Sequence, residues 1–416
     1  MNQPIDQRCR WLACTIASAV LLSACGGGDD DDPPAQEAAR GTVLAKLQTG
    51  ANACGLDAVN VTVSKLRLNT SANAATGDSG WVDLALAPAQ RINLIDAATV
   101  PGGATTDLGE VSLPAGIYTQ ARLVLDAAGS TVRVAGAAAD TALTTDASLG
   151  SDGIRVPVDV KVDSAGKATL VVDFNGCGSI QRRGSAYVLK PRAAAVQPTL
   201  NGIAGFIDKA ALASGIVITA QQNGGIFATA VPHPTTGEFL LPRLPANKYD
   251  VVIQGRGRAT AVIGAVPVEA AAIVAIATAA APIAPATSAT ATVSGQVSYA
   301  AGKAAPDSGT WVQAAQTIAA SINVGNLATP VTYRLQPVDL ASGAYTLPDL
   351  PRASIQYALY KPALPLALAN ATTSLGNGRY RIDAVAAGYS NTASTASTSV
   401  DINATSPAGI NIVLTQ

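Results

Sequence analysis

Val156, Val158, Val160 and Val162 alternate with Pro157, Asp159 and Lys161, and a period of two is the mark of a strand with one face buried. Similar runs recur at Val59, Val61 and Val63 and at Leu170, Val172 and Phe174, each short and each bounded by Gly, Asn or Asp. With 38 glycines and 24 prolines in 416 residues, the apolar runs are broken too often for long helices. The chain is therefore expected to be all-β. Aromatic residues make up 4% and charged residues 13%, so its cores must be built from Val, Leu, Ile and Ala. A chain of this length holds about two to four domains.

The N-terminus is a different kind of segment. Met1–Arg10 carries Arg8 and Arg10, and an apolar stretch follows from Trp11 to Leu22. A bilayer span needs about 20 residues, so this stretch is too short for one but fits the apolar region of a signal peptide. It ends in Leu22-Ser23-Ala24-Cys25, which resembles the bacterial lipobox, where small residues precede a cysteine that is acylated on sulfur. The resemblance implies that residues 1–24 are a lipoprotein signal peptide. It makes Cys25 the lipidation site, carrying fatty acyl chains such as palmitate. An ordinary signal peptide with a chance cysteine is the alternative. Residues 25–40 hold Gly26–Gly28, Asp29–Asp32 and Pro33-Pro34, the composition of a flexible, self-repelling tether. Gly26 stands where inner-membrane lipoproteins carry Asp, which favours the outer membrane, facing either the periplasm or the outside.

The formal charge is −1. Removing Arg8, Arg10 and Asp6 with the leader turns 27 basic and 28 acidic residues into 25 and 27, a net of −2. That balance leaves no footprint for nucleic acid. Of five cysteines, Cys9 and Cys14 leave with the leader and Cys25 is taken by lipid. Cys54 and Cys177 remain, an even pair in an oxidising compartment, expected to form a disulfide. A metal reading of the pair lacks partners, because His233 is the only histidine and no third thiol remains.

Residues 41–196 read as one larger β-sandwich-like domain. In Val59–Leu68 the alternation slips at Ser64-Lys65, as a β-bulge would make it. Val156–Val162 and Leu170–Phe174 flank the turn Asp163–Gly166 and are expected to form a hairpin. Further landmarks are Trp81-Val-Asp-Leu84, Leu113-Pro-Ala-Gly-Ile-Tyr118 and Tyr187-Val-Leu-Lys-Pro191. Their order resembles a bacterial lipoprotein family known as domain of unknown function 4382, which implies no chemistry. The rest contains an internal repeat. Thr236-Gly-Glu-Phe-Leu-Leu-Pro-Arg-Leu-Pro245 matches Ser342-Gly-Ala-Tyr-Thr-Leu-Pro-Asp-Leu-Pro351 position by position in residue type. Each copy has a Gly-containing strand upstream (Gly202–Phe206, Val293–Val297) and a Tyr-led strand downstream (Tyr249–Ile253, Tyr380–Ala384). These features resemble the carboxypeptidase regulatory-like fold. The resemblance implies two small Greek-key β-sandwiches of the prealbumin or Ig-like kind, at 197–277 and 291–416, the second split by an insertion near Arg352–Asn377. Residues 278–290, rich in Ala, Pro and Thr, are expected as a linker.

Sites of chemistry are scarce. Gly77-Asp-Ser-Gly80 resembles the nucleophile segment of trypsin-like proteases, but Trp81 follows where that motif has Gly, and His233 lies in another domain. A turn leading into a Trp-bearing strand is the better reading, repeated at Asp307-Ser-Gly309 before Trp311. Asp126, Asp163 and Asp208 sit singly at expected turns, and no phosphate loop or dinucleotide fingerprint occurs. The expectation is a non-enzymatic envelope lipoprotein, with no cofactor and no metal, that presents sandwiches for binding or spacing. Its partners would be the membrane, through the lipid, and a glycan or envelope protein. Tyr118, Tyr187, Tyr357, Tyr360 and Tyr389 are candidates for stacking on sugar, although strand aromatics are more often core. A carboxylate-based hydrolase or glycan-processing enzyme is the alternative, marked by two carboxylates about 5–10 Å apart in a cleft.

Overall fold

Every alternating run becomes a strand with its apolar set turned inward; Val156, Val158, Val160 and Val162 are all buried while their neighbours are exposed. The computed structural model describes residues 39–50, 54–95, 105–306, 309–320, 328–391 and 399–415. The expected signal peptide, Cys25 and all but the last two residues of the tether lie outside them. The chain is all-β, with three sandwiches in sequence.

The first sandwich is built from β1 (Arg40–Thr49), β2 (Leu56–Asn69), β3 (Val82–Asn93), β4 (Thr105–Pro114), β5 (Gly116–Val134), β6 (Thr141–Thr144), β7 (Ile154–Val162), β8 (Lys167–Phe174), β9 (Ile180–Arg183), β10 (Ala186–Leu189) and β11 (Ala193–Val196). A four-stranded sheet, in the order β11-β8-β1-β4, faces a seven-stranded one, β3-β2-β5-β6-β10-β9 with β7 also on β5. Between them lies an aliphatic core that includes Val43, Leu47, Val61, Leu66, Leu123, Val156 and Val172. Both pairings of β2 shift register between Val63 and Lys65, so Ser64 is the bulge that the slipped alternation marks. The expected hairpin is a correction. β7 pairs with β5, whereas β8 lies parallel to β1, so Asp163–Gly166 carries the chain from one sheet to the other. Ala165 N donates to Arg40 O and Thr42 N to Gly166 O, fixing the crossing. Alternation specifies which face of a strand is buried; it does not specify the neighbour.

The second sandwich has β12 (Gly202–Phe206), β13 (Val217–Gln222), β14 (Gly225–Ala230), β15 (Glu238–Pro242), β16 (Asn247–Gln254), β17 (Ala261–Val268) and β18 (Ile273–Ala275). The third contributes β19 (Thr290–Tyr299), β20 (Thr310–Ile318), β21 (Thr329–Pro337), β22 (Ala344–Pro351), β23 (Ile355–Leu359), β24 (Ala369–Ala371), β25 (Arg379–Ala386), β26 (Ser390–Asn391), β27 (Val400–Asp401) and β28 (Ile412–Thr415). The sequence repeat is a geometric repeat. Gly237 and Gly343 both have positive φ, 76° and 72°, and a Cβ there would collide with the carbonyls of Ile207 and Val297. Arg243 and Asp349, matched in the repeat, are both forced into the left-handed region at φ 54° and 59°. The following tyrosine closes each copy, with Tyr249 Oη donating to Pro245 O and Tyr380 Oη to Pro351 O, at 2.8 and 2.6 Å. The first sandwich has the same corner, since Tyr118 Oη donates to Pro114 O at 3.1 Å.

Proline and tyrosine are four residues apart in two of these corners and 29 apart in the third. The extra chain is exchanged between sandwiches. β23 runs parallel to β17 and carries β24 on its outer edge, making the six-stranded sheet β14-β13-β16-β17-β23-β24 of the second sandwich. Opposite it lies the three-stranded sheet β15-β12-β18. The third sandwich keeps β22-β19-β28-β26 and β21-β20-β25-β27. The six-stranded sheet is covered on both faces. Val251, Ile253 and Ile263 pack in its own core, while Val252 and Val262 pack with Val331, Tyr333 and Leu347 of the third. Double coverage accounts for the unalternated run Val251-Val252-Ile253.

Polar bonds lock the same interface. Gln221 Nε2 donates to Thr332 O at 2.8 Å, Thr332 N donates to Gln221 Oε1 at 2.9 Å, and Gln254 Nε2 reaches the same carbonyl at 3.1 Å. β21 is an edge strand, so these amides satisfy backbone groups that would otherwise be orphaned. Gln221→Ala leaves a buried N–H unpaired and is expected to lower the unfolding free energy by about 1–3 kcal/mol, read from urea melts. Gln221→Ala and Thr332→Ala should then be non-additive in a double-mutant cycle, because Thr332 Oγ1 also reaches across, to Gly224 O at 2.7 Å.

Residues 278–290 are pinned along their length. Ile283 is buried in the second core and bridges Ile207, and Ala286 N donates to Gln356 Oε1 at 2.8 Å. Ala39–Gln416 form one compact unit.

Candidate functional site

Where the three sandwiches meet they leave a cleft of about 650 Å³. The first contributes Arg182 from β9, Tyr187 from β10, Arg192 just before β11, and the Cys54–Cys177 disulfide. The second contributes Thr219, Thr229 and Gln254, and the third Trp311, Tyr333, Arg334, Asp339 and Tyr345. Gly309, at φ 84°, turns the chain into β20 and delivers Trp311, as Gly80, also at φ 84°, delivers Trp81 to β3. The Arg192 guanidinium carbon lies 4.9 Å from the Trp311 ring centroid, a cation–π stack. Burial lowers the pKa of Arg192, and it lowers that of Arg334 against the opposing charge of Asp349. Arg334 Nε donates to Pro348 O at 3.2 Å.

The charged side chains of the lining are three guanidiniums and one carboxylate. Burial pushes Asp339 up, but N–H groups of Gly184, Ala341 and Ser342 and the nearby Arg182 outweigh it and hold the group below the usual carboxylate range. Asp339 also latches the first sandwich to the third: Gly184 N donates to it at 3.1 Å, and Leu340 N donates to Arg182 O at 3.1 Å. Burial raises Tyr333 and Tyr345, whose hydroxyls donate to Gln316 Oε1 and Ile410 O at 2.6 and 2.5 Å.

A second cleft, about 380 Å³, lies between the first two sandwiches and is lined in part by Asp173, His233, Glu238 and Arg243. Burial pushes Asp173 up to about 6, opposed by a hydrogen bond from Gln48 and the charge of Arg243. The three form a chain across the joint: Gln48 Nε2 donates to Asp173 Oδ1 at 3.1 Å, and Arg243 Nε donates to Gln48 Oε1 at 2.6 Å. Arg243 Nη1 also donates to Gln197 O and Pro198 O, where the first sandwich passes into the second. His233 Nδ1 accepts from Thr235 N and Thr236 N, both at 3.2 Å, as a turn residue does.

Cys54 and Cys177 are joined, with Cα atoms 5.6 Å apart. Asp78 accepts from Ala75 N, and the Trp81 indole donates to Ala75 O, so Gly77–Gly80 is a turn. Asp126 and Asp208 accept from the N–H two residues on. Of the five tyrosines proposed for stacking, Tyr187 alone lines the junction cleft. Tyr118 and Tyr357 are buried, Tyr360 packs on the second core, and Tyr389 stacks edge-on against Tyr299. The sequence reading missed Arg182, Arg192, Trp311 and Arg334. Among the described residues no group of three or more His, Cys, Asp or Glu is placed to hold a metal, and no helix is long and apolar enough to cross a membrane.

No curated protein matches the chain. Among solved structures, the Bacillus anthracis TIE protein is similar over 90% of this chain at 11% identity and a TM-score of 0.16. The chain spans 50% of that protein's length. The Streptococcal ancillary pilin is similar at 10% identity and a TM-score of 0.17, over 91% of this chain and 99% of that one. The Corynebacterium diphtheriae major pilin SpaA is similar at 12% identity and a TM-score of 0.18, over 91% and 100%. Within the chain it is residues 41–191, running from β1 through β10, that match a family model, the one described as Domain of unknown function (DUF4382).

Proposed function

We propose that this is a non-enzymatic lipoprotein of the cell envelope, held at the outer membrane through Cys25, that displays a preformed binding cleft on a rigid three-sandwich body. The carrying observation is the junction cleft: three sandwiches joined by an exchanged strand and by Gln221, Gln254 and Asp339 converge on it. Its one carboxylate is held as an anion by backbone donors, the opposite of a carboxyl poised to give up a proton. In this reading the second and third sandwiches are carboxypeptidase regulatory-like modules, and the acidic segment after Cys25 is the spacer. Cys25→Ala is expected to move the protein from the membrane to the soluble fraction and to abolish acyl labelling. Membrane retention of that variant in high salt would defeat the anchoring. Protease shaving of intact cells distinguishes a surface from a periplasmic orientation.

Asp173 favours a second reading, a carboxylate-based hydrolase, because a carboxyl raised to about 6 in a cleft that Glu238 also lines is the kind of group that catalysis uses. Its hydrogen-bond chain to Arg243 fits a structural joint better. Ester or glycoside turnover that disappears in Asp173→Asn, with the fold retained, would establish the hydrolase.

A further inference from the structure

We infer that the junction cleft binds an acidic saccharide, one whose carboxylates pair with Arg182, Arg192 and Arg334 while a sugar ring lies against Tyr187 and Trp311. The inference rests on the display reading above and gives it a ligand class. Its basis is a local reversal of charge. The whole chain is −1, yet the ionisable groups lining this cleft sum to +2, three guanidiniums against Asp339. Asp339 accepts from the Gly184 and Ala341 N–H groups and lies 3.9 Å from Arg182, so the excess positive charge of the cleft rests on Arg192 and Arg334. Arginine suits such a ligand, since its planar fork meets a carboxylate through two parallel hydrogen bonds.

Aromatic content adds the second half. Trp, Tyr and Phe number 17 in the whole chain, and Tyr187, Trp311, Tyr333 and Tyr345 all line this cleft. Tyr333 and Tyr345 are buried with their hydroxyls spent, so they serve as wall. Tyr187 and Trp311 are only partly buried. Gln336 and Thr346 supply a neutral amide and a hydroxyl of the kind that pair with sugar hydroxyls. The volume, about 650 Å³, lies within the usual range for small-ligand sites of about 300–1,000 Å³. Burial lowers both Arg192 and Arg334, so an arriving anion restores solvation that these cations gave up.

The test is calorimetric titration of the compact unit, Ala39 onward, with tetragalacturonate, with a neutral tetrasaccharide of the same length, and with inorganic phosphate. Tetragalacturonate is expected to bind and to weaken as salt is raised. Arg182→Gln and Arg192→Gln are each expected to lower its affinity about tenfold, as loss of a charge-assisted bond does. Arg183→Gln removes the same charge from a neighbouring residue outside the cleft lining and is expected to leave binding unchanged. Thermal melts of all three variants show whether the fold is intact. Absence of tetragalacturonate binding, equal binding of the neutral sugar, equal binding of phosphate alone, or equal losses from Arg183→Gln would each overturn the inference. None of these results touches the anchor, which Cys25→Ala tests separately.

Discussion

Replacing Cys54 and Cys177 together by alanine lowers the unfolding free energy by about 5 kcal/mol in the chain-entropy model, in which a crosslink restricts the unfolded chain more the longer the loop it closes. The two cysteines are separated by 123 residues, so β2 through β8 of the first sandwich lie inside the loop. The bridge ties together two crossings between the sheets, since Cys54 lies between β1 and β2 and Cys177 between β8 and β9. For a unit the size of the first sandwich, such a loss corresponds to a fall in Tm of about 10–20 °C. Dithiothreitol should reproduce the shift in the parent protein and produce none in the double variant. Coincident melting curves of the oxidised parent and the variant would show that the bridge does not restrain unfolding.

The joint between the first two sandwiches should loosen as pH rises through about 6. Asp173 is raised to about 6 in the folded protein, against 3.8 for the free group. The native state therefore holds more protons than the unfolded state between these values, and linkage makes stability fall as pH rises across that window. The shift corresponds to roughly 2–3 kcal/mol after allowance for partial solvent access, lost between about pH 4 and pH 7. Asp173→Asn should remove this dependence and be the more stable form at pH 7.5. Asp250, also raised by burial, has the same sign. Asp140 and Asp401, lowered mainly by hydrogen bonds from Arg133 and from Asn403 N respectively, have the opposite sign, and their contribution is lost only as acid protonates them. The difference between parent and variant isolates Asp173. A constant difference in Tm from pH 4.5 to 7.5 would contradict the assignment.

Local features were legible in the sequence where one stretch of chain determines them. The bulge at Ser64, the turn glycines Gly237 and Gly343 and the turn before Trp81 each follow from residue types within a few positions. The pairing of Cys54 with Cys177 followed from elimination. Strand neighbours were not legible: β7 and β8 have the pattern of a hairpin and join different sheets. The unalternated Val251-Val252-Ile253 did carry the signal that both faces of β16 are covered, but not the identity of the cover. The cleft could not be read at all. Arg182 and Arg334 stand 152 positions apart, meet only through docking of separate sandwiches, and follow no spacing rule.

The exchanged strand has a consequence for biosynthesis. β17 ends at Val268, and the strand that covers its edge, Ile355–Leu359, is synthesised almost a hundred residues later. Throughout that interval a chain emerging N-terminus first carries an open, apolar sheet edge, the kind of surface on which aggregation begins. The second sandwich is finished only after four of the third's eight strands, β19 to β22, have been made. The two are thus a single unit of inheritance as well as of folding: a gene fragment ending between them encodes a protein with one sheet incomplete, and recombination that shuffles them separately breaks both.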